Sequence, residues 1–148
     1  MRLIRLGKGA WTVLATCSAN GDCPTLDFVA SLDQRRGDRV LADLREFVPG
    51  TSPSHWARTE FSRKLKGVEG IFEFRWPTSG GGTPRLLWFF DENKVIVCSN
   101  GADKKGRLRQ REIEIAQETR QWYLLAKQKS DLQVIDLANL DRNWDEEE

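Results

Sequence analysis

Between residues 71 and 98 three apolar stretches follow one another with little between them, and that spacing constrains the fold more than any other feature. Ile71-Phe-Glu-Phe-Arg-Trp76 alternates, so Phe72, Phe74 and Trp76 share one side of an extended chain and Ile71, Glu73 and Arg75 the other. Thr78-Ser-Gly-Gly-Gly-Thr83 is a flexible connection, and Pro84 is tolerated at the start of a strand. Arg85-Leu-Leu-Trp-Phe-Phe90 is nearly all apolar, as at the centre of a sheet. Asp91-Glu-Asn-Lys94 then turns the chain into Val95-Ile-Val-Cys98. Links this short leave no room for a crossover helix, so the three strands run as an antiparallel meander.

The remaining segments arrange themselves around that meander. Trp11-Thr-Val-Leu-Ala-Thr-Cys17 reads as a first strand, ended by the turn Asn20-Gly21-Asp22. Pro24 suits the first position of a helix, where its missing N–H is not needed. Leu26, Phe28, Val29 and Leu32 give that helix an apolar side. A second helix covers 38–47, with Val40, Leu41, Leu44 and Phe47 on one stripe, and Pro49-Gly50-Thr51-Ser52-Pro53 ends it in a loop. A last helix covers 109–128, its stripe made of Ile115, Ala116, Thr119, Trp122, Tyr123 and Ala126. The order β-α-α-β-β-β-α predicts an α+β fold, a small antiparallel-dominated sheet with helices packed on one face. Residues 1–129 are expected to form the domain and 130–148 a C-terminal extension. In that extension Leu132, Val134, Ile135, Leu137 and Leu140 can add a strand or short helix before the acidic end Asp145-Glu-Glu-Glu148.

Composition narrows the class. With 39% apolar and 30% charged residues the chain suits a globular domain, and six Trp and seven Phe supply large buried area. No apolar run reaches the roughly 20 residues of a membrane helix. Met1-Arg-Leu-Ile-Arg-Leu is too short and too charged to hold the apolar region of a signal peptide. The three cysteines, Cys17, Cys23 and Cys98, are odd in number, and no histidine lies near the two that flank the first turn. The simplest expectation is a reduced cytoplasmic chain without a metal or cofactor.

Charge is the other informative quantity. Taken whole, 23 Lys+Arg against 22 Asp+Glu give +1. Residues 57–129, however, carry 15 basic and 9 acidic side chains, net +6, and residues 130–148 carry 1 and 7, net −6. A basic middle followed by an acidic tail suggests contact with nucleic acid, the tail tuning the basic surface.

Several residues are candidates for that contact. Arg75 and Arg85 sit inside strands among apolar neighbours, where a guanidinium costs desolvation unless it is paired or faces water. They can hold a phosphate and stabilise charge developing on it, or they can form ion pairs with Glu73 or Glu69 at the sheet rim. Lys104, Lys105, Arg107, Arg109 and Arg111 leave a strand end and enter a helix, a place to grip phosphates or a solvated loop. Lys64 and Lys66, in Arg63-Lys64-Leu65-Lys66-Gly67, add phosphate contacts or simply complement the end of a helix dipole. The triple glycine lacks the spacing of a nucleotide-binding loop. His55 is the only histidine, which excludes any two-histidine mechanism.

The order and local strings of residues 11–127 resemble the RelE/ParE superfamily of type II toxins, in its phage-derived HigB-like branch. The matching strings are Gly21-Asp-Cys-Pro24 with Asp27-Phe-Val-Ala-Ser-Leu32, Lys64-Leu-Lys-Gly67 running into Ile71-Phe-Glu-Phe-Arg75, Arg85-Leu-Leu-Trp-Phe-Phe90, Lys104-Lys105, and Arg111-Glu-Ile-Glu-Ile-Ala116. The resemblance implies a metal-independent, ribosome-dependent mRNA endonuclease (an mRNA interferase), partnered by an antitoxin that masks the basic surface. Arg75, Arg85, Lys104 and Lys105 take the positions of the catalytic cations, with Lys64, Lys66, Arg107, Arg109 and Arg111 binding RNA. In such chemistry the ribose 2′-OH attacks the adjacent phosphate, and a lysine of depressed pKa can move a proton. The chain departs from the family at Ala102, where an aromatic is usual, and it has neither a proline before the last helix nor a tyrosine at its start. Those departures keep two alternatives open: a non-catalytic module binding nucleic acid or protein, and a ParE-like inhibitor of DNA gyrase.

Overall fold

The structure, a computed structural model, describes residues 1–78, 82–104 and 106–140. Among these, seven strands form one sheet in the order β3-β4-β5-β6-β2-β1-β7. The meander is its centre: β4 (Phe72–Arg75), β5 (Thr83–Asp91) and β6 (Val95–Lys104) pair antiparallel, with Phe72 opposite Trp88. β3 (Ser62–Lys64) extends it on one side. On the other side β2 (Thr12–Thr16) runs parallel to β6, β1 (Arg2–Lys8) antiparallel to β2, and β7 (Gln133–Asp136) parallel to β1. The α+β class and the antiparallel-dominated sheet are thus as the periodicity predicts.

The strand expected to come first is the second. Arg2–Lys8 precedes it, and its apolar residues Leu3, Ile4 and Leu6 are all buried, because this strand is covered on both sides. No simple alternation marks it for that reason. The stretch after Phe47 is also more ordered than a loop. The second helix, α2 (Gln34–Ala42), continues through a π-helical turn (Asp43–Phe47) into the short α3 (Val48–Gly50). α4 (Pro53–Arg58) then starts at Ser52, whose hydroxyl accepts the His55 N–H at 3.4 Å. Arg63–Gly67 is no helix end. It is the edge strand β3 followed by a turn, where Gly67 takes φ +70°, a backbone conformation that disfavours side chains.

Helices cover both faces of the sheet rather than one. On the first, α1 (Pro24–Ser31), α2 with the π-helical turn that follows it, and α4 bring Phe28, Val40, Leu44 and Trp56 against Val13, Phe74, Trp76, Leu86 and Trp88. The rings form a connected set: Trp88 stacks on Phe72 and Phe74 with centroids 4.8 and 4.7 Å apart, and Trp56 meets Phe74 edge-on at 5.5 Å. On the second, α5 (Gln110–Gln128) brings Ala116 and Tyr123 against Leu3, Leu14, Ile71, Leu87, Phe89 and Val97. Trp122, placed by periodicity on the inner stripe, is instead 65% exposed, because Tyr123 takes the inward position against Phe89.

After α5 the chain returns to the sheet. The Met1 amino group donates to the Asp131 carbonyl at 2.5 Å, and Arg5 holds Asp136 through Nε at 2.5 Å and Nη2 at 2.7 Å. The acidic end, 141–148, lies outside the described residues.

Candidate functional site

The register of the meander builds the site. Arg75 lies directly opposite Arg85, Arg85 opposite Ala102, and Thr83 opposite Lys104. Opposed residues on neighbouring strands point to the same side, so both arginines and Lys104 emerge from the α5 face. Facing guanidinium groups repel, and the buried Glu73 carboxylate, 3.8 Å from Arg75 Nε, offsets part of it. Arg85 is 9% exposed, and neither its Nε–H nor that of Arg75 donates a hydrogen bond to a described residue.

Glu73, two residues before Arg75 on the same side, is fully buried. Its Oε1 accepts from Arg63 Nε at 2.5 Å and lies 3.8 Å from Arg75 Nε, while Oε2 has no partner among the described residues. Lys104 Nζ reaches Glu112 Oε1 at 3.0 Å. The other oxygen of Glu112 accepts the Arg109 N–H at 2.9 Å, and its backbone carbonyl accepts from Asn100 Nδ2 at 3.0 Å, so the first turn of α5 is fastened to β6 beside the lysine. The result is a row of four cations, Arg63, Arg75, Arg85 and Lys104, against two carboxylates.

The other expected residues distribute unevenly. Arg107 and Arg109 are exposed on the segment between β6 and α5, close in the chain to Lys104. Lys105 lies outside the described residues. Arg111 points away on the outer surface of α5, bonding Glu118 at 3.1 Å and approaching Glu114 at 3.5 Å. Lys64 shares the register position of Phe72, hence the opposite face from Arg75, and Lys66 is in the following turn. The structure therefore gathers Arg75, Arg85 and Lys104 and leaves Lys64, Lys66 and Arg111 outside the cluster. Arg63, adjacent to Lys64 and not singled out, takes its place: in a strand, neighbouring residues face opposite ways, and β3 became visible only once paired with β4.

A cavity of about 390 Å³ opens beside Arg75, between the rings of Phe47, Phe61 and Trp76, with Asp43 and Glu60 on its wall. Trp76 Nε1 donates to Asp43 Oδ2 at 2.8 Å and orients that carboxylate. Glu60 holds φ +60°, unusual for a residue with a side chain.

Fold and site together define a small α+β domain with a cationic cluster at one end of its sheet. The family model of the phage-derived Gp49-like proteins (DUF891) matches residues 27–121, and the chain belongs to that family. The match runs from α1 into α5 and so includes Arg75, Arg85 and Lys104. No curated protein matches the chain. No helix among the described residues is long and apolar enough to cross a membrane.

Proposed function

We propose that the chain is the toxin of a type II toxin–antitoxin pair, a HigB/RelE-like endoribonuclease that cuts mRNA on the ribosome without a metal. One observation carries the reading. Arg85 is nine-tenths buried, stands against Arg75, and pairs with no carboxylate among the described residues. A guanidinium so placed lowers stability, and an arriving phosphate supplies the bidentate acceptor that the protein withholds. Two facing forks can then flank one scissile phosphate. The ribose 2′-OH attacks that phosphate, the P–O5′ bond breaks, and Arg75 and Arg85 stabilise the charge on the pentavalent centre. Lys104, and Lys105 beside it in the sequence, move the protons. Arg107 and Arg109 hold neighbouring phosphates, and an antitoxin masks the cluster until it is removed.

A second reading, a non-catalytic binding module on the same fold, draws on Glu112 occupying Lys104 at 3.0 Å and on Ala102 opposite Arg85, where no ring is available to stack on a base. Expression followed by mapping of mRNA 5′ ends separates the two. The toxin reading expects arrested growth with new breaks inside translated messages, both lost in the double variant Arg75→Ala with Arg85→Ala. Intact mRNA and normal growth in the presence of folded protein reject it. Growth arrest that survives the double substitution moves the function to binding, or to gyrase, which a supercoiling assay then tests.

A further inference from the structure

Two cysteines that the proposed chemistry leaves unused stand together at the junction of β2 and α1. Cys17 directly follows β2, and Cys23 caps the N-terminus of α1. Between them the chain closes on itself: Ser18 N–H donates to the Asp22 carbonyl at 2.7 Å, and Gly21 N–H to the Ser18 carbonyl at 2.9 Å. Residues 17 and 23 are the pair just outside that closure, and both side chains belong to the same apolar cluster. The two thiols are close enough for each to shift the other's titration.

The two sulfurs are not equivalent. The neighbouring Cys23 thiol, with the nearby positive charge of Arg2, outweighs partial burial and holds the Cys17 thiol below its ordinary value. The same proximity and burial push Cys23 up. Cys17 is half-buried, whereas Cys23 is 3% exposed and packs in the core. That is the division between an attacking and a resolving cysteine. Cys98 is fully buried in the sheet, its thiol raised by desolvation, and it serves as an internal control.

We infer that Cys17 and Cys23 form a redox modification site, closing an intramolecular disulfide when the protein meets a hydroperoxide. In the first step the Cys17 sulfur attacks a peroxide oxygen, the O–O bond breaks, and a sulfenic acid forms as water or an alcohol leaves. In the second, the Cys23 sulfur attacks Cys17 Sγ and the S–O bond breaks. The departing hydroxide takes the Cys23 proton and leaves as water. With hydrogen peroxide the balance is two thiols and one peroxide to one disulfide and two waters. The bond ties the start of α1 to the end of β2. From there Phe28 of α1 lies on Gly101, where an added Cβ would stand 2.4 Å from the ring, one residue before Ala102, the cross-strand partner of Arg85. The turn and the start of α1 also form one wall of a cleft of about 630 Å³ whose other wall is Gly101–Asp103. The inference is independent of the nuclease reading.

Full-length protein treated with hydrogen peroxide, then denatured, alkylated and analysed by peptide mass, tests it. The expected product is a Cys17–Cys23 cross-linked peptide about 2 Da lighter than its reduced parts, with Cys98 alone alkylated, and a raised urea midpoint that dithiothreitol reverses. Cys23→Ser should stop at a sulfenic acid on Cys17 that a 1,3-dione reagent traps, and Cys17→Ser should leave Cys23 unmodified at the same exposure. Oxidation of Cys98 first, a disulfide between chains, or a wild-type Cys17 that proceeds to sulfinic acid without a cross-link would each overturn it.

Discussion

The two faces of the central strands are made from alternate residues of the same segments, and they are opposite in character. Toward α1, α2 and α4, Phe72, Phe74, Leu86 and Trp88 pack in one apolar and aromatic cluster, with Trp56 fully buried among them. Toward α5, Ile71, Leu87 and Phe89 begin in the same way, but their rows continue into Glu73, Arg75 and Arg85. The first face holds the stability. The second gives some of it up, because a fully buried carboxylate and a nine-tenths buried guanidinium lose hydration that their partners only partly replace. A sheet with a strong core on one side can tolerate that on the other.

The sharpest way to break this contrast is Trp56→Ala. It removes the ring that touches Trp11, Phe74 and Trp88 and the donor to Thr51 Oγ1 at 2.7 Å. Urea denaturation should show a loss of about 3–5 kcal/mol. A loss under about 1 kcal/mol would mean that the aromatic face is not one packed unit.

The matching change on the other face is Arg85→Met, which keeps the stem and deletes the charge. RNA cleavage should fall by about 10²–10³-fold, the effect of removing one stabilising donor from a developing anion. Stability should instead rise by about 1 kcal/mol, since an unpaired guanidinium leaves the interior. A variant that is both inactive and clearly destabilised would show that Arg85 is structural, and the contrast between the faces would fail.

A subtler probe is the anchor of α5. Burial by itself raises the Asp91 carboxyl, but the hydrogen bonds from Lys127 Nζ at 2.6 Å and from the Tyr123 hydroxyl outweigh it and leave the group below its ordinary 3.8. A carboxyl held low when folded stabilises fully above its unfolded pKa, and that contribution is lost as pH falls through the folded value. Stability should therefore drop on the acid side, below about pH 4, and Asp91→Asn should flatten that limb of the urea midpoint against pH. An unchanged limb would remove the anchor from the account.

The smallest expected effect is that of Arg107→Ala, outside the buried cluster. If it meets one RNA phosphate, the log–log salt dependence of RNA binding should become shallower by about 0.7, with cleavage of bound RNA little changed. A slope that stays the same would place the RNA path elsewhere.

What could be read from the residues alone is uneven, for a consistent reason. The meander, the helix after it, Pro24 as a helix start and the strand positions of Arg75 and Arg85 all follow from local spacing, because period two and period 3.6 are written along a single segment. β1 was hidden, since a strand buried on both sides shows no alternation, and β7 lies about 130 residues from its partner. Alternation also showed that Glu73 and Arg75 share a face without showing whether that face meets water or a helix. Only the docking of α5, through Tyr123, Asp91 and Asn100, decided that Lys104 meets Glu112, and only the pairing of β3 with β4 decided that Lys64 belongs to the other side while Arg63 joins the site. Local pattern determines which residues can share a face. The burial and pairing of a charge depend on what packs over that face from distant parts of the chain.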